Sequence, residues 1–481
     1  MGSPWVGVNR WGAALLGSLV FCSSAWAEGG SLRLFDVEPR ISVSETYSDG
    51  GISSNNSSGG WITSVDPGFS LSRQAARLEA DFDYSLGSRY YAEDSHNSIR
   101  HRMHGNALVE LIERELFIDA LVIKRDQLTS PLGTSNIDSG LQRDNLTSTT
   151  SWRIGPRWLH RFGRVANSTL EYQIDRVSFD GEAANDSSGK NIRANVQSGS
   201  LFDTFFWAMD YTDSDIRYLE SDDRSQFERY SATVGYNLTR KLNVFYVIGN
   251  ETNRYKGSLG DTGGSYWNVG VGFTPSVRTT MNASFGKRFY GDTSSFSLTH
   301  TARKWVVTAA YDETITTIRQ QQFGGIFLIC PPEIPDCTPE QAVAFGIDIG
   351  VRNGTYLLES LTGSVAYTLP KSTLTLSTFD RTRKFQDSSG PGDESSGVTV
   401  GWNWKISPLT SLNVGSGWLK YKLQVIPVRE DDRWFLRAGM QRDLGSDIHA
   451  SMNYSYQKRD SSAGGSDFSG NTVSASLTKT F

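Results

Sequence analysis

From Trp61 onward the chain repeats one device: a run in which every second residue is apolar, a connection rich in Gly, Asn, Asp or Ser, and another such run. Leu78, Ala80, Phe82, Tyr84 and Leu86 fall on one parity, with Arg77, Glu79, Asp81 and Asp83 on the other. Side chains alternate across a strand, so this is an extended segment with one apolar and one charged face. Met103, Ala107, Val109 and Leu111 repeat the pattern against Arg100, Arg102, His104 and Glu110. Later runs do the same: Trp267, Val269, Val271 and Phe273; Val398, Val400 and Trp402; and Trp434, Leu436, Ala438 and Met440 against Arg433 and Arg437.

The connections are ordered as well. Tight turns follow the even-numbered runs, at 73–75, 112–114, 239–240, 275–278, 370–371, 407–410 and 445–447, while the connections after odd-numbered runs are mostly long and polar. A soluble sandwich does not segregate its loop lengths in this way. A transmembrane antiparallel up-and-down barrel does, with short periplasmic turns and longer outer loops. Counting runs predicts an all-β barrel of roughly 22 strands, between about 18 and 24, with an even number that leaves both termini periplasmic. In lipid every backbone N–H and C=O must be paired internally, so the first strand, around Ile41–Tyr47, is expected to pair with the last.

That last strand is Asn471–Phe481. Val473, Ala475, Leu477 and Phe481 share a parity, and Thr472, Ser474, Ser476, Thr478 and Thr480 share the other. Ending on an aromatic residue in this pattern resembles the assembly signal of bacterial outer-membrane barrels, which makes Phe481 the candidate recognition residue. Lys479 breaks the apolar parity, and its stem can snorkel to water at a membrane edge.

Residues 1–27 read as a secretory signal peptide: Arg10 is the positive charge, Trp11–Phe21 the apolar core, and Ala25-Trp26-Ala27 the cleavage pattern. Residues 28–481 are then the barrel. No later segment approaches the length of a membrane-spanning helix. A formal charge of −5 gives no reason to expect nucleic acid as a partner. Cys22 leaves with the signal, and Cys330 and Cys337 remain in CPPEIPDC. Two cysteines so close in an exported chain predict a disulfide closing a small loop. They sit in the longest interruption, about 317–353, where Thr338-Pro339-Glu340-Gln341 has the signature of a helix start and Gly346 an end. This stapled loop either folds over or into a pore, or ornaments its outer rim.

Chemistry motifs are sparse. There is no Gly-rich phosphate loop with a lysine and no zinc-type His-Glu spacing. His101 and His104 fall on opposite faces of a strand. The chain is therefore read as no enzyme, with no cofactor and no metal. A gated transporter of similar strand number needs a large amino-terminal plug domain, yet the first strand here begins shortly after the cleavage site. Arg77, Glu79, Asp81, Asp83, Arg100, Arg102, Glu110, Arg433 and Arg437 are the candidate lumen-facing residues. They either line a wet conduit carrying both signs of charge or pair with one another and fill the barrel.

Trp61–Leu86 (WITSVDPGFSLSRQAARLEADFDYSL), Arg157–Phe179 (RWLHRFGRVANSTLEYQIDRVSF) and Tyr266–Tyr290 (YWNVGVGFTPSVRTTMNASFGKRFY) resemble an outer-membrane barrel family associated with PEP-CTERM/exosortase systems and exopolysaccharide loci. The similarity spans nearly the whole mature chain, in strand and turn patterns rather than catalytic signatures. It implies a Gram-negative outer-membrane location and a pore or export conduit linked to exopolysaccharide production. The alternatives are a structural or surface-display barrel with a blocked lumen, and a general diffusion porin. The partners expected are outer-membrane lipid and lipopolysaccharide, the barrel-assembly machinery, polysaccharide and periplasmic export components. The resemblance carries over no functional residue.

Overall fold

The computed structural model describes residues 35–49, 59–92, 97–130, 145–181, 184–221, 223–258, 262–324, 354–387, 390–425, 427–464 and 466–481. The signal peptide, the two cysteines and the helix read at Thr338 lie outside these residues. Twenty-two strands follow one another: β1 (Asp36–Ser48), β2 (Gly60–Ala75), β3 (Leu78–Tyr91), β4 (Asn97–Ile112), β5 (Leu116–Leu128), β6 (Leu146–Phe162), β7 (Ala166–Phe179), β8 (Ser187–Ser198), β9 (Phe205–Tyr218), β10 (Arg224–Thr239), β11 (Leu242–Arg254), β12 (Gly263–Ser276), β13 (Thr279–Arg288), β14 (Gly291–Thr301), β15 (Trp305–Thr317), β16 (Thr355–Thr368), β17 (Ser372–Phe385), β18 (Asp393–Ser407), β19 (Thr410–Leu423), β20 (Arg429–Asp443), β21 (Ile448–Ser461) and β22 (Phe468–Thr480). Among the described residues a single helix, α1 (Ile318–Gly324), follows β15. Among the described residues no helix is long and apolar enough to cross a membrane.

The barrel is closed. β1 runs antiparallel to β22, from Arg40 opposite Thr480 to Ser48 opposite Thr472. The Phe481 amide adds a further bond, donating to the Pro39 carbonyl at 2.9 Å. Closure removes the free edges that neither water nor lipid could satisfy inside a bilayer. β1 starts and β22 ends at the rim of short turns, as an even strand number requires.

One face of the wall is apolar and exposed. Ile248, Val269, Leu376, Val398 and Val400 form its middle, and rings such as Trp61, Trp158, Tyr236, Trp305 and Trp434 lie toward its edges. This is the aliphatic band with aromatic girdles of a membrane barrel. Lys479 sits at the lower border, its Nζ 3.1 Å from Asp447 in the β20–β21 turn and 5.8 Å from the Phe481 ring centre. The charge on the apolar parity thus reaches water and a counter-ion.

Several boundaries differ from the sequence reading. Residues 73–75 belong to β2, and the turn is Ala76–Arg77. Arg73 shares the parity of Phe69 and Leu71, and a charge there reads as a strand end unless its long stem is credited with reaching water. The segment after Thr317 begins as a helix rather than a loop.

The last residue gives a direct test of assembly. Deleting Phe481, or making Phe481→Asp, is expected to lower the outer-membrane yield and the heat-modifiable folded band. Wild-type levels of both would remove Phe481 as the recognition residue.

Candidate functional site

The interior changes character along its length. On β3, Glu79 and Asp81 are exposed, Asp83 is half-buried, and Gly87, Arg89 and Tyr91 are buried. On β18, Asn403 is exposed, while Thr399, Ser395 and Asp393 are buried. On β21, Asn453 is exposed and Gln457 and Arg459 are buried. The lumen is therefore open toward the short-turn rim and occluded toward the long-loop rim.

At the same rim α1 enters the lumen beside β5, β7, β8 and β16. Its start is a reciprocal capping box: the Gln320 amide donates to Thr317 Oγ1 at 3.3 Å, and the Thr317 amide donates to Gln320 Oε1 at 3.0 Å. The helix then reaches strands on both sides of the barrel. Arg319 is 2 % exposed. It forms an ion pair with Asp175 of β7, and its Nε donates to Ser187 Oγ of β8 at 2.8 Å. Gln322 accepts from Arg125 of β5 at 2.9 Å and donates to Gln127 at 3.3 Å. Gln321 accepts from the Tyr356 hydroxyl of β16 at 2.9 Å. One helix can touch β5, β7, β8 and β16 only from inside the wall.

Apolar burial joins these polar contacts. Ile318 packs with Val177, Phe179 and Ala184, and Phe323 lies against the same cluster. Burying a side chain such as Ile318 is worth about 1.5–3 kcal/mol. The Arg153 guanidinium lies 5.8 Å from the Phe323 ring centre. Burial pushes the Arg319 guanidinium below its usual value and the Asp175 carboxylate pushes it back up. Gly189 makes the pairing possible, since a Cβ there would occupy the space of the Arg319 guanidinium.

Beneath α1 is a chamber of about 380 Å³, between β6 and β15. Arg153, Arg193 and Arg229 line it on the inward parity together with the Glu251–Arg288 pair, while Asp213 and Glu228 border it from the opposite parity. Across the barrel, Arg383 forks onto Asp393 with bonds of 2.7 and 2.8 Å, its guanidinium 5.5 Å from the Tyr356 ring centre. The occluded half is thus held by charge pairs and rings, with no group of metal-binding side chains among the described residues.

The sequence-predicted residues fall as follows. Asp83 pairs with Arg40 at 2.7 Å and Arg100 with Asp126 at 3.5 Å. Glu79 and Asp81 share the parity of Asp83, and Arg102 and Glu110 that of Arg100. Arg433 and Arg437 share a parity with buried Asp431 and Phe435. Arg77 lies in the β2–β3 turn, where its carbonyl accepts from the Glu110 amide at 2.9 Å. Arg319, Gln321, Gln322, Arg288, Glu251, Arg383 and Asp393 were not anticipated. The capping signature noted at Thr338–Gln341 is equally present at Thr317–Gln320 and would have found α1.

The fold is that of known outer-membrane receptors. A doubly substituted ferric enterobactin receptor PfeA from Pseudomonas aeruginosa aligns at TM-score 0.50 and 10% identity, over 93% of this chain and 80% of that one. A singly substituted form of the same receptor gives the same values. The ferric-catecholate import receptor Fiu from E. coli aligns at TM-score 0.49 and 10% identity, over 93% of this chain and 82% of that one. This chain is an outer-membrane β-barrel. Its longer connections gather at one rim and its short turns at the other. At such identity the likeness shows the architecture of the barrel alone. No protein-family model matches the barrel's sequence, and no curated protein matches it.

Proposed function

We propose that the barrel is a conduit for a hydrophilic solute, open to the periplasm and closed at its outer end by α1. The observation that carries this reading is α1 itself, docked across the lumen by Arg319–Asp175 on one side and Gln321–Tyr356 on the other. A lumen permanently filled by ion pairs would need no such device. In this reading Glu79, Asp81, Asp83, Arg100, Arg102, Glu110, Arg433 and Arg437 form a mixed-charge wall, which suits a polar and largely uncharged cargo. The resemblance to exopolysaccharide-linked barrels supports a polysaccharide as that cargo. The paired cysteines Cys330 and Cys337 would stiffen the segment that continues from α1.

Planar-bilayer recordings test the conduit. The purified wild-type barrel is expected to conduct little and rarely. Gly189→Leu, which removes the space for the Arg319 guanidinium, is expected to raise the open fraction at least tenfold, the factor that about 1.4 kcal/mol of lost docking produces. Two silent proteins would favour the structural, blocked barrel. Two equally conducting proteins would favour a general diffusion porin.

A further inference from the structure

The wall has a split. β14 pairs with β15 only from Phe296–Tyr311 to Thr301–Val306. On its other side β14 stays paired with β13 as far as Gly291, and β15 stays paired with β16 as far as Thr317. At the outer rim the wall therefore parts between Gly291–Ser295 and Asp312–Thr317. β13 and β14 close at Phe289–Tyr290 and β15 ends at Thr317. Continuing the Phe296–Tyr311 register sets Gly291 level with Thr316, so both strands are present along the parting without pairing.

A cavity of about 470 Å³ occupies the parting. Its lining comes from both faces of the wall. Glu313 stands opposite Glu359 on the outward parity, which Lys384 shares. Phe385 is on the inward parity, 5.3 Å from Tyr356. With β14 and β15 unpaired at this level, residues of both parities border the one slot. Leu357, 6 % exposed, is its most buried lining residue.

The lining has a definite chemistry. Four rings border it: Tyr255, Phe289, Tyr290 and Phe385. Phe289 and Tyr290 lie 5.2 Å apart at 80°, so together they offer a ring face and a ring edge. Asp292 is exposed at the mouth. Glu313 is steadied by the Tyr311 hydroxyl at 2.8 Å, and Glu359 is paired with Lys384. Burial, with Asp387 nearby, pushes the Tyr255 hydroxyl up to about 12, so it stays a neutral donor.

We propose that this slot binds a neutral saccharide. The C–H faces of sugar rings stack on aromatic faces, and neighbouring sugar hydroxyls donate to carboxylates, which are acceptors only. A phosphate-bearing ligand would meet three carboxylates against one lysine. An alkyl chain would take Asp292 and Glu313 out of water, which is costly. Core sugars of lipopolysaccharide and a free or emerging neutral polymer share the chemistry that fits. The site does not depend on the conduit reading.

The test is calorimetric titration of the full-length barrel in a non-glycosidic detergent. The probes are cellohexaose and the deacylated core oligosaccharide of rough lipopolysaccharide. Binding of either probe supports the site, and the tighter one identifies the source. Tyr290→Ala is expected to weaken binding roughly tenfold, a ring-stacking loss near 1.4 kcal/mol. Glu313→Gln, which keeps the shape, is expected to weaken it several-fold. Heat-modifiable mobility checks that both variants are folded, and both should conduct like the wild type. Saccharide binding that survives a failed gating experiment would leave this site standing while the conduit reading falls. Binding of neither probe would overturn the proposal, as would affinity unchanged in both variants. It would also be overturned if an extended hexapeptide bound instead, equally well to wild type and Tyr290→Ala, since that would show main-chain pairing to the open edges.

Discussion

Arginine at Val269 is expected to destabilise the barrel by about 2–4 kcal/mol, the cost of a lipid-facing cation at the bilayer midplane. Arginine at Asn268, one residue away, should cost far less. Val269 lies at the middle of β12, 51% exposed, with Tyr246 and Phe285 as its cross-strand neighbours. Asn268 points the other way, over Gly286, where an added Cβ would meet its side chain. A guanidinium at 268 enters a lumen already lined by charges, whereas at 269 it has only hydrocarbon to enter. Urea unfolding of both variants in phospholipid vesicles measures the difference. Equal destabilisation would mean that the apolar parity is not the lipid face.

That parity was legible because it is local. Val269, Val271 and Phe273 alternate with Asn268, Gly270 and Gly272 within a few residues, and no distant contact is needed to see which face is apolar. Closure was legible for a related reason: an unpaired edge has no partner in lipid, so the run ending at Thr480 had to find the first one. The boundaries were harder. Arg73 looks like a strand end until its reach to water is considered, and β1 starts at Asp36, ahead of its first apolar alternation at Ile41.

The interior was largely hidden, because it is built from contacts remote in sequence. Arg319 meets Asp175 across 144 positions, and Gln322 meets Gln127 across 195. Nothing near Asp175 marks it as different from Glu171, which shares its parity on β7. Gly189 reads as an ordinary strand glycine until the guanidinium over it is seen. The α1 start was readable in principle, since Thr317 and Gln320 carry the same signature as Thr338 and Gln341. The split between β14 and β15 was not readable, since alternation within each run does not show where its pairing to the next run stops.

Removing one member of the Arg319–Asp175 pair is expected to have a large local effect. Breaking a buried ion pair by deleting one partner commonly costs about 3–5 kcal/mol, because the other charge is left buried and unpaired. Arg319→Ala would leave Asp175, 3 % exposed, with Asn191 as its side-chain donor among the described residues. The barrel has a cheaper response than unfolding. Its strand ladders do not depend on α1, so the helix can undock and let water reach the carboxylate. The cost should therefore appear in the docking equilibrium of α1, as local opening rather than global unfolding. Amide exchange across residues 318–324 should accelerate by roughly 10²–10³, the factor that about 3–4 kcal/mol produces. Exchange in the middle of β7 and the thermal midpoint should stay close to wild type. Arg319→Ala with Asp175→Ala should recover part of the protection, because no unpaired charge remains inside. If α1 stays as protected in Arg319→Ala as in the wild type, the ion pair does not hold it, and the apolar cluster around Ile318 and Phe323 does.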